Sequence, residues 1–368
     1  MSRGLDGGDL EAEVPARPAP ERETGRIDRL RNLLDEPLLV TNPVNVRYLT
    51  GFDSSNAALL VEPERVRLFT DFRYIEAARA VEGLEAVETR RNTIAWLAEN
   101  LTGRIGFEAD VLPYALATVL GGGGLELVPR SGLVERLRAV KDERELDALR
   151  RACAVTDRVF ERLAAEIRFV GRPERDVAWD ISRLFHEEGG ERLAFASIVG
   201  SGPTGSRPHA HAGERVIGAG ELVVIDTGCT VEGYASDYTR TFATGELDGE
   251  MREAYEVVLA AQLAALDAIG PGVTGGEADA AARRVIDGSA FAGTFGHGLG
   301  HGLGLDVHEA PRLSAESGDT LEPGNVVTVE PGVYVAGRFG VRIEDDVFVT
   351  AGGVENPVGF RKELITVS

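Results

Sequence analysis

Gly296-His297-Gly298-Leu299-Gly300-His301-Gly302-Leu303-Gly304-Leu305-Asp306-Val307-His308-Glu309-Ala310-Pro311 holds three of the chain's six histidines, with glycine in most of the gaps. Glycine lets backbone approach a ligand closely and tolerates strained dihedrals. Imidazole is the commonest metal ligand and carries protons near neutral pH. A run that packs glycine around three imidazoles reads as a site rather than as a flexible loop, provided its surroundings supply partners.

Acids on both sides supply them. Residues 222–225 form a short apolar run that ends in Asp226, and residues 234–242 read as a returning strand after a turn-rich stretch. Paired as a hairpin centred between Val231 and Glu232, these strands set Asp226 directly opposite Asp237. Cross-strand partners have Cβ atoms about 4.5–5.5 Å apart on one face. Residues 326–329 likewise end in Glu330, and residues 340–343 come back to Glu344. A turn centred on Gly337 makes Glu330 face Glu344. Bare carboxylates this close repel each other unless a cation or proton lies between them. Each acid alone would pass for an exposed strand-end carboxylate. Two facing pairs flanking the histidine run instead describe an oxygen-rich site for two divalent ions. Mn²⁺ suits it best, with Co²⁺, Fe²⁺ or Zn²⁺ as alternatives. Two ions about 3.5–4 Å apart hold a water, lower its pKa and clamp an oxyanion. The recurrence implies a catalytic domain of two related halves, although no clear sequence repeat is visible.

At this point the chain resembles the creatinase/aminopeptidase P/prolidase metallopeptidases (M24). The resemblance rests on IDTG (225–228), SDYTRTF (236–242), HGLGHGLGLDVHEAP (297–311), TVEPGVY (328–334) and GVRIEDD (340–346), five separated motifs in order. It extends over most of the chain from about residue 26. It implies an α+β protein: a C-terminal pita-bread catalytic domain (140–368) preceded by a smaller α/β creatinase-type N-terminal domain (26–139). It implies metal ligation by Asp226, Asp237, His301, Glu330 and Glu344, with Asp237 and Glu344 as bridges and Glu330 also taking the water's proton. His308 and His209 would stabilise the oxyanion or the leaving nitrogen, and His297 would lie against the substrate's proline. Arg342 would neutralise excess charge or anchor a carboxylate. A proline-containing peptide as substrate and a homodimer also follow from the resemblance. The activity expected is that of an Xaa-Pro aminopeptidase, with an Xaa-Pro dipeptidase (prolidase) as the alternative. A non-catalytic or creatinase-type relative is more remote, because such relatives lose ligands that this chain keeps.

The rest of the sequence sets bounds. With 60 acidic against 39 basic residues, the formal charge of −21 argues against nucleic acid as a partner. Only Lys141 and Lys362 are lysine among the basic residues, which reads as coding bias. Two cysteines make no disulfide framework, and Cys229, three positions after Asp226, is either near the metals or a small buried apolar residue. Residues 1–25 are charged and proline-rich, and read as a disordered tail without a leader or anchor. No segment approaches the ~20 apolar residues of a membrane span, so a cytoplasmic protein is expected. Residues 26–138 alternate strand-like pieces (37–41, 57–62, 66–71, 104–108, 125–130) with helix-like ones (27–34, 73–80, 93–101, 113–120), as in an α/β layer. Asp142 and Glu145 form a capping box that opens a long helix towards Ile167, and further helices are expected over 172–188, 251–269 and 276–286. Pro208-His209-Ala210 fits the family pattern, but Arg207 stands where a small apolar residue is usual. His211 and His186 are assigned no catalytic role.

Overall fold

The computed structural model describes residues 21–368. The tail expected over 1–25 lies outside the described residues up to position 20, and its last five positions belong to the Glu21–Arg31 helix. The chain divides into two compact units at Ser131/Gly132.

The first unit is built on six strands: β1 (Leu38–Val40), β2 (Ala57–Val61), β3 (Val66–Asp71), β4 (Glu85–Thr89), β5 (Gly103–Glu108) and β6 (Leu125–Arg130). They form one mixed sheet in the order 4-3-2-1-5-6. Leu39, Leu60 and Phe69 from the sheet meet Leu97, Leu101 and Leu120 in one buried cluster. Sequence periodicity did not show β4. Its EAVET stretch is an edge strand with polar residues on both faces, so no apolar alternation announces it. The Pro43–Thr50 helix was also missed, although its punctuation was legible. Asn42 caps it by accepting from the Val44 N–H, Pro43 takes the first turn, and Gly51 ends it at φ 70°.

The second unit repeats one plan twice. The Glu143–Glu166 helix opens with the expected capping box on Asp142 and Glu145. Its buried residues Leu149, Cys153, Thr156, Phe160 and Leu163 recur at helical spacing. With the Glu174–Glu187 helix it packs on Val223, Ile225, Tyr238 and Phe242 of the first hairpin. The Gly249–Ala268 and Gly275–Asp287 helices pack in the same way on Val327, Val329, Val341 and Val347 of the second. The Gly275–Asp287 helix has its own capping box, between Thr274 and Glu277. Two helix pairs thus cover the outer faces of two hairpins, and the residues between the hairpins are the acidic ones. Among the described residues, no helix is long and apolar enough to cross a membrane.

Candidate metal centre

The first hairpin differs from the expected register. Asp226 pairs with Thr239, and Tyr238 with Thr227, so Asp226 does not lie directly opposite Asp237. The turn is the cause. Glu232 and Gly233 both have positive φ (53° and 83°), the requirement for a two-residue type I′ turn. That turn moves the hairpin's centre one residue past the expected point and slides every pair by two. Asp237 then falls in a break between the Tyr234–Ala235 and Tyr238–Ala243 strands. There its N–H donates to the Asp346 carboxylate at 3.1 Å.

The second hairpin keeps the register expected. Val329 pairs with Asp345, and Gly332 with Arg342. Glu330 and Glu344 sit face to face in the gap between those two paired stretches. Glu330 donates its N–H to the Leu299 carbonyl at 2.8 Å, and Glu344 donates to Thr239 at 3.1 Å. A break in the ladder thus frees the ligand-bearing backbone of both hairpins to turn inward.

The histidine run lies against this gap. Its glycines serve close strand packing rather than contact with a ligand. A Cβ on Gly300 would come 2.0 Å from the Thr328 carbonyl oxygen, and one on Gly302 2.1 Å from that of Ala310. Only glycine allows the run to pass so close, and this places His301 Nε2 3.3 Å from Glu330 and 3.8 Å from Asp237. His301 Nδ1 donates to the Gly302 carbonyl at 3.1 Å, which puts the proton there and leaves the Nε2 lone pair facing the carboxylates. Asp237, His301 and Glu344 can each offer a ligand atom within 4.8 Å of the others.

The electrostatics fit a divalent cation. Asp226, Asp237 and Glu344 are buried and Glu330 nearly so, while Arg342 is, among the described residues, the one cation hydrogen-bonded to their carboxylates. Burial, then the neighbouring acids, push the Asp237 and Glu344 carboxyls well above the carboxylate range. Burial pushes Glu330 up to about 7. Burial and the adjacent His308 hold His301 down to about 4, so an uncharged imidazole faces them. Asp226 Oδ1 is buried without a hydrogen-bond partner among the described residues. Ionised together, these groups bury like charges side by side, which costs free energy that a bound cation would offset.

Arg342 is held internally. It donates to Asp226 at 2.5 Å, Thr239 Oγ1 at 2.9 Å, the Tyr334 hydroxyl at 3.0 Å and the Pro208 carbonyl at 3.3 Å. Tyr334 in turn donates to His297 Nε2 at 2.9 Å, and His297 Nδ1 donates to Gly298 at 2.8 Å. Burial holds His297 down to about 4. Sequence reasoning missed Tyr334 and Thr239, although both lie inside quoted motifs. Thr239 was hidden by the register error, and it also donates to Glu344 at 2.6 Å. His308 lies against His301, with ring centroids 4.2 Å apart and planes tilted by 50°. His209 is exposed, and burial, then the field of His209, holds His308 below the usual imidazole range. Arg207, His211 and His186 are exposed. Cys229 is fully buried near Ala152, Thr156 and Ser236, and burial pushes its thiol up to about 11.

Comparison with known proteins follows the same lines. Residues 147–351 match Metallopeptidase family M24, and residues 26–140 match the Creatinase/Prolidase N-terminal domain. The Xaa-Pro dipeptidase of Pyrococcus furiosus is 32% identical over 347 residues, covering 92% of this chain and 99% of that protein. The structure of an Xaa-Pro dipeptidase from Bacillus anthracis superposes with a TM-score of 0.90 at 38% identity, covering 94% of this chain and 100% of that one. That of X-Pro aminopeptidase from Thermotoga maritima gives 0.84 at 32%, covering 92% and 100%. With more than half its length in the family match, the chain belongs to metallopeptidase family M24 and carries a creatinase/prolidase-type N-terminal domain.

Proposed function

We propose that this protein is a metal-dependent Xaa-Pro dipeptidase, with Asp226, Asp237, His301, Glu330 and Glu344 holding two divalent ions, Mn²⁺ foremost. The observation that carries this reading is the convergence of Asp237, His301 and Glu344, with Asp226 and Glu330 beside them. Bound ions would acidify a water and polarise the scissile carbonyl. The protein's own groups do the rest. Glu330, bonded by Thr328 at 3.2 Å, takes up the proton the water loses. His308, at the open side of His301, passes a proton to the leaving nitrogen. His209 supports the oxyanion, and the uncharged His297 packs against the pyrrolidine ring. An Xaa-Pro bond has no N–H for an enzyme to grip, so a centre that acts on the carbonyl suits it.

The sequence favoured an aminopeptidase, and gave Arg342 either the neutralising of excess charge or, for a dipeptidase, the anchoring of the substrate's carboxylate. Arg342 is buried and committed to Asp226, Tyr334 and Thr239, so it is not available for that task. Arg312 suits it better. It pairs across the strands with His301, which puts both side chains on one face, and it is exposed. A cation on the face that carries His301 would meet the C-terminal carboxylate of a two-residue substrate. The similarity to Xaa-Pro dipeptidases points the same way.

The test compares kcat/KM for Xaa-Pro, Xaa-Pro-Yaa and Xaa-Ala-Yaa peptides in the Mn²⁺-loaded protein and in Arg312→Ala. The dipeptide should be cleaved fastest. Arg312→Ala should raise its KM about 10–100-fold, the value of a charge-assisted hydrogen bond. Faster cleavage of Xaa-Pro-Yaa, unaffected by Arg312→Ala, would establish an aminopeptidase instead.

A further inference from the structure

Of the 39 basic residues, two are lysine. Arginine stands almost everywhere this chain places a cation, which makes the surroundings of the two exceptions worth comparing. Both exceptions sit in ion clusters of the second unit, Lys141 buried and Lys362 partly exposed. Each cluster holds the acid that directly follows a residue of the metal centre.

Lys141 is 5% exposed, and its Nζ lies 3.2 Å from Glu309 and 3.4 Å from the Ala139 carbonyl. Arg138 donates to the other oxygen of Glu309 at 2.5 Å and to Asp306 at 2.7 Å. The Asp306 N–H also bonds Glu309 at 3.0 Å. These contacts fix both ends of the 306–309 segment that presents His308. The packing leaves little room, since a Cβ on Gly304 would sit 2.7 Å from both Glu309 oxygens.

Lys362 does the same for Glu344. Its Nζ is 2.5 Å from Asp345 and 3.0 Å from the Gln262 side-chain oxygen. Asp345 is fully buried and also accepts from Arg240 at 2.9 Å, Gln262 at 3.0 Å and Asn356 at 2.7 Å. Arg240 ties this cluster to the metal centre by donating to the Glu344 carbonyl at 2.6 Å and the Thr239 carbonyl at 3.0 Å.

The two clusters have one design: a lysine and an arginine share a buried carboxylate next in sequence to His308 or Glu344. We propose that Lys141 and Lys362 are positioning residues of the metal centre, and that arginine cannot replace either. The ammonium is a compact point charge with tetrahedral donors, so one Nζ serves two acceptors lying in different directions. A planar guanidinium is longer and spreads its donors in one fork, and each carboxylate already accepts from an arginine. Lys362 acts through Glu344 and so on metal affinity. Lys141 acts through His308 and so on turnover. This inference rests on the ligand and proton-donor assignments proposed above.

The test uses the full chain, stripped with chelator. The variants are Lys141→Arg, Lys362→Arg, the corresponding methionine substitutions, and Arg183→Lys as an exposed control. Mn²⁺ affinity is measured by calorimetry, and kcat and KM at saturating Mn²⁺. Lys362→Arg should weaken Mn²⁺ binding about 10–100-fold, the range for partners that orient a metal ligand. Lys141→Arg should leave Mn²⁺ affinity and KM unchanged while kcat falls about 10-fold or more. Arg183→Lys should change nothing. Parental Mn²⁺ affinity in folded Lys362→Arg and parental kcat in folded Lys141→Arg would overturn the proposal, as would a loss of melting temperature alone. Where an arginine variant does not fold, its methionine counterpart is read by the same criteria. A parent that binds Mn²⁺ yet does not cleave Xaa-Pro refutes the proposed substrate only. Affinity in Lys362→Arg is then still read without substrate, and Lys141→Arg is read on whichever peptide is cleaved.

Discussion

His301 and His308 touch ring to ring, yet their removal should have different consequences. His301→Ala takes away the Nε2 lone pair that faces Glu330 and Asp237, so bound metal should fall below the parental content by elemental analysis. His308→Ala should keep its metal and lose about 10²–10⁴ in kcat, the usual contribution of a positioned acid–base group. The opposite pattern would exchange the two roles. Tyr334→Phe tests the relay behind them. Its hydroxyl joins Arg342 to His297, and its loss should lower kcat/KM about 10-fold, from a hydrogen bond to a charged group, with metal content unchanged. At this scale the sequence showed which residue types would meet, because acids at strand ends beside spaced histidines have few other uses. It could not show which way Arg342 points. That depends on Tyr334, on the facing strand of its own hairpin, and on Thr239, which reaches it only once the two hairpins pack together.

The two hairpins illustrate what strand patterns can and cannot convey. The second was read in the correct register because Gly337, in the centre of its turn, has φ 72° as glycine allows. The first was misread by two residues because Glu232, a residue rarely found at positive φ, takes the left-handed position beside Gly233. A slip of two preserves the face, which is why the acids still converge despite the error. The glycines of the histidine run give a test of the element. Gly300→Ala drives a Cβ into the Thr328 carbonyl. It should destabilise the second unit by about 1–3 kcal/mol and lower bound metal, since Thr328 also accepts from the His301 N–H and donates to Glu330. Gly296→Ala, with nothing within 4 Å of the added methyl, should do neither. Denaturant titration and metal analysis of the pair settle this.

For the whole molecule, two helix-covered hairpins hold four carboxylates that neither hairpin could hold alone. Closing them together buries like charges, so the fold and the cation should stabilise each other. Mn²⁺ at 100 times its Kd should raise stability by about 2.7 kcal/mol, an increase of about 5–10 °C in melting temperature for a unit of this size. Asp237→Asn and Glu344→Gln should shrink that increase, because they remove groups whose charge the ion balances. The most direct test follows bound metal and Xaa-Pro hydrolysis in the same samples while chelator-stripped protein is titrated with Mn²⁺. The account expects no hydrolysis in the stripped chain and a return of activity that levels off near two ions per chain. Full turnover in protein shown to be metal-free would contradict it.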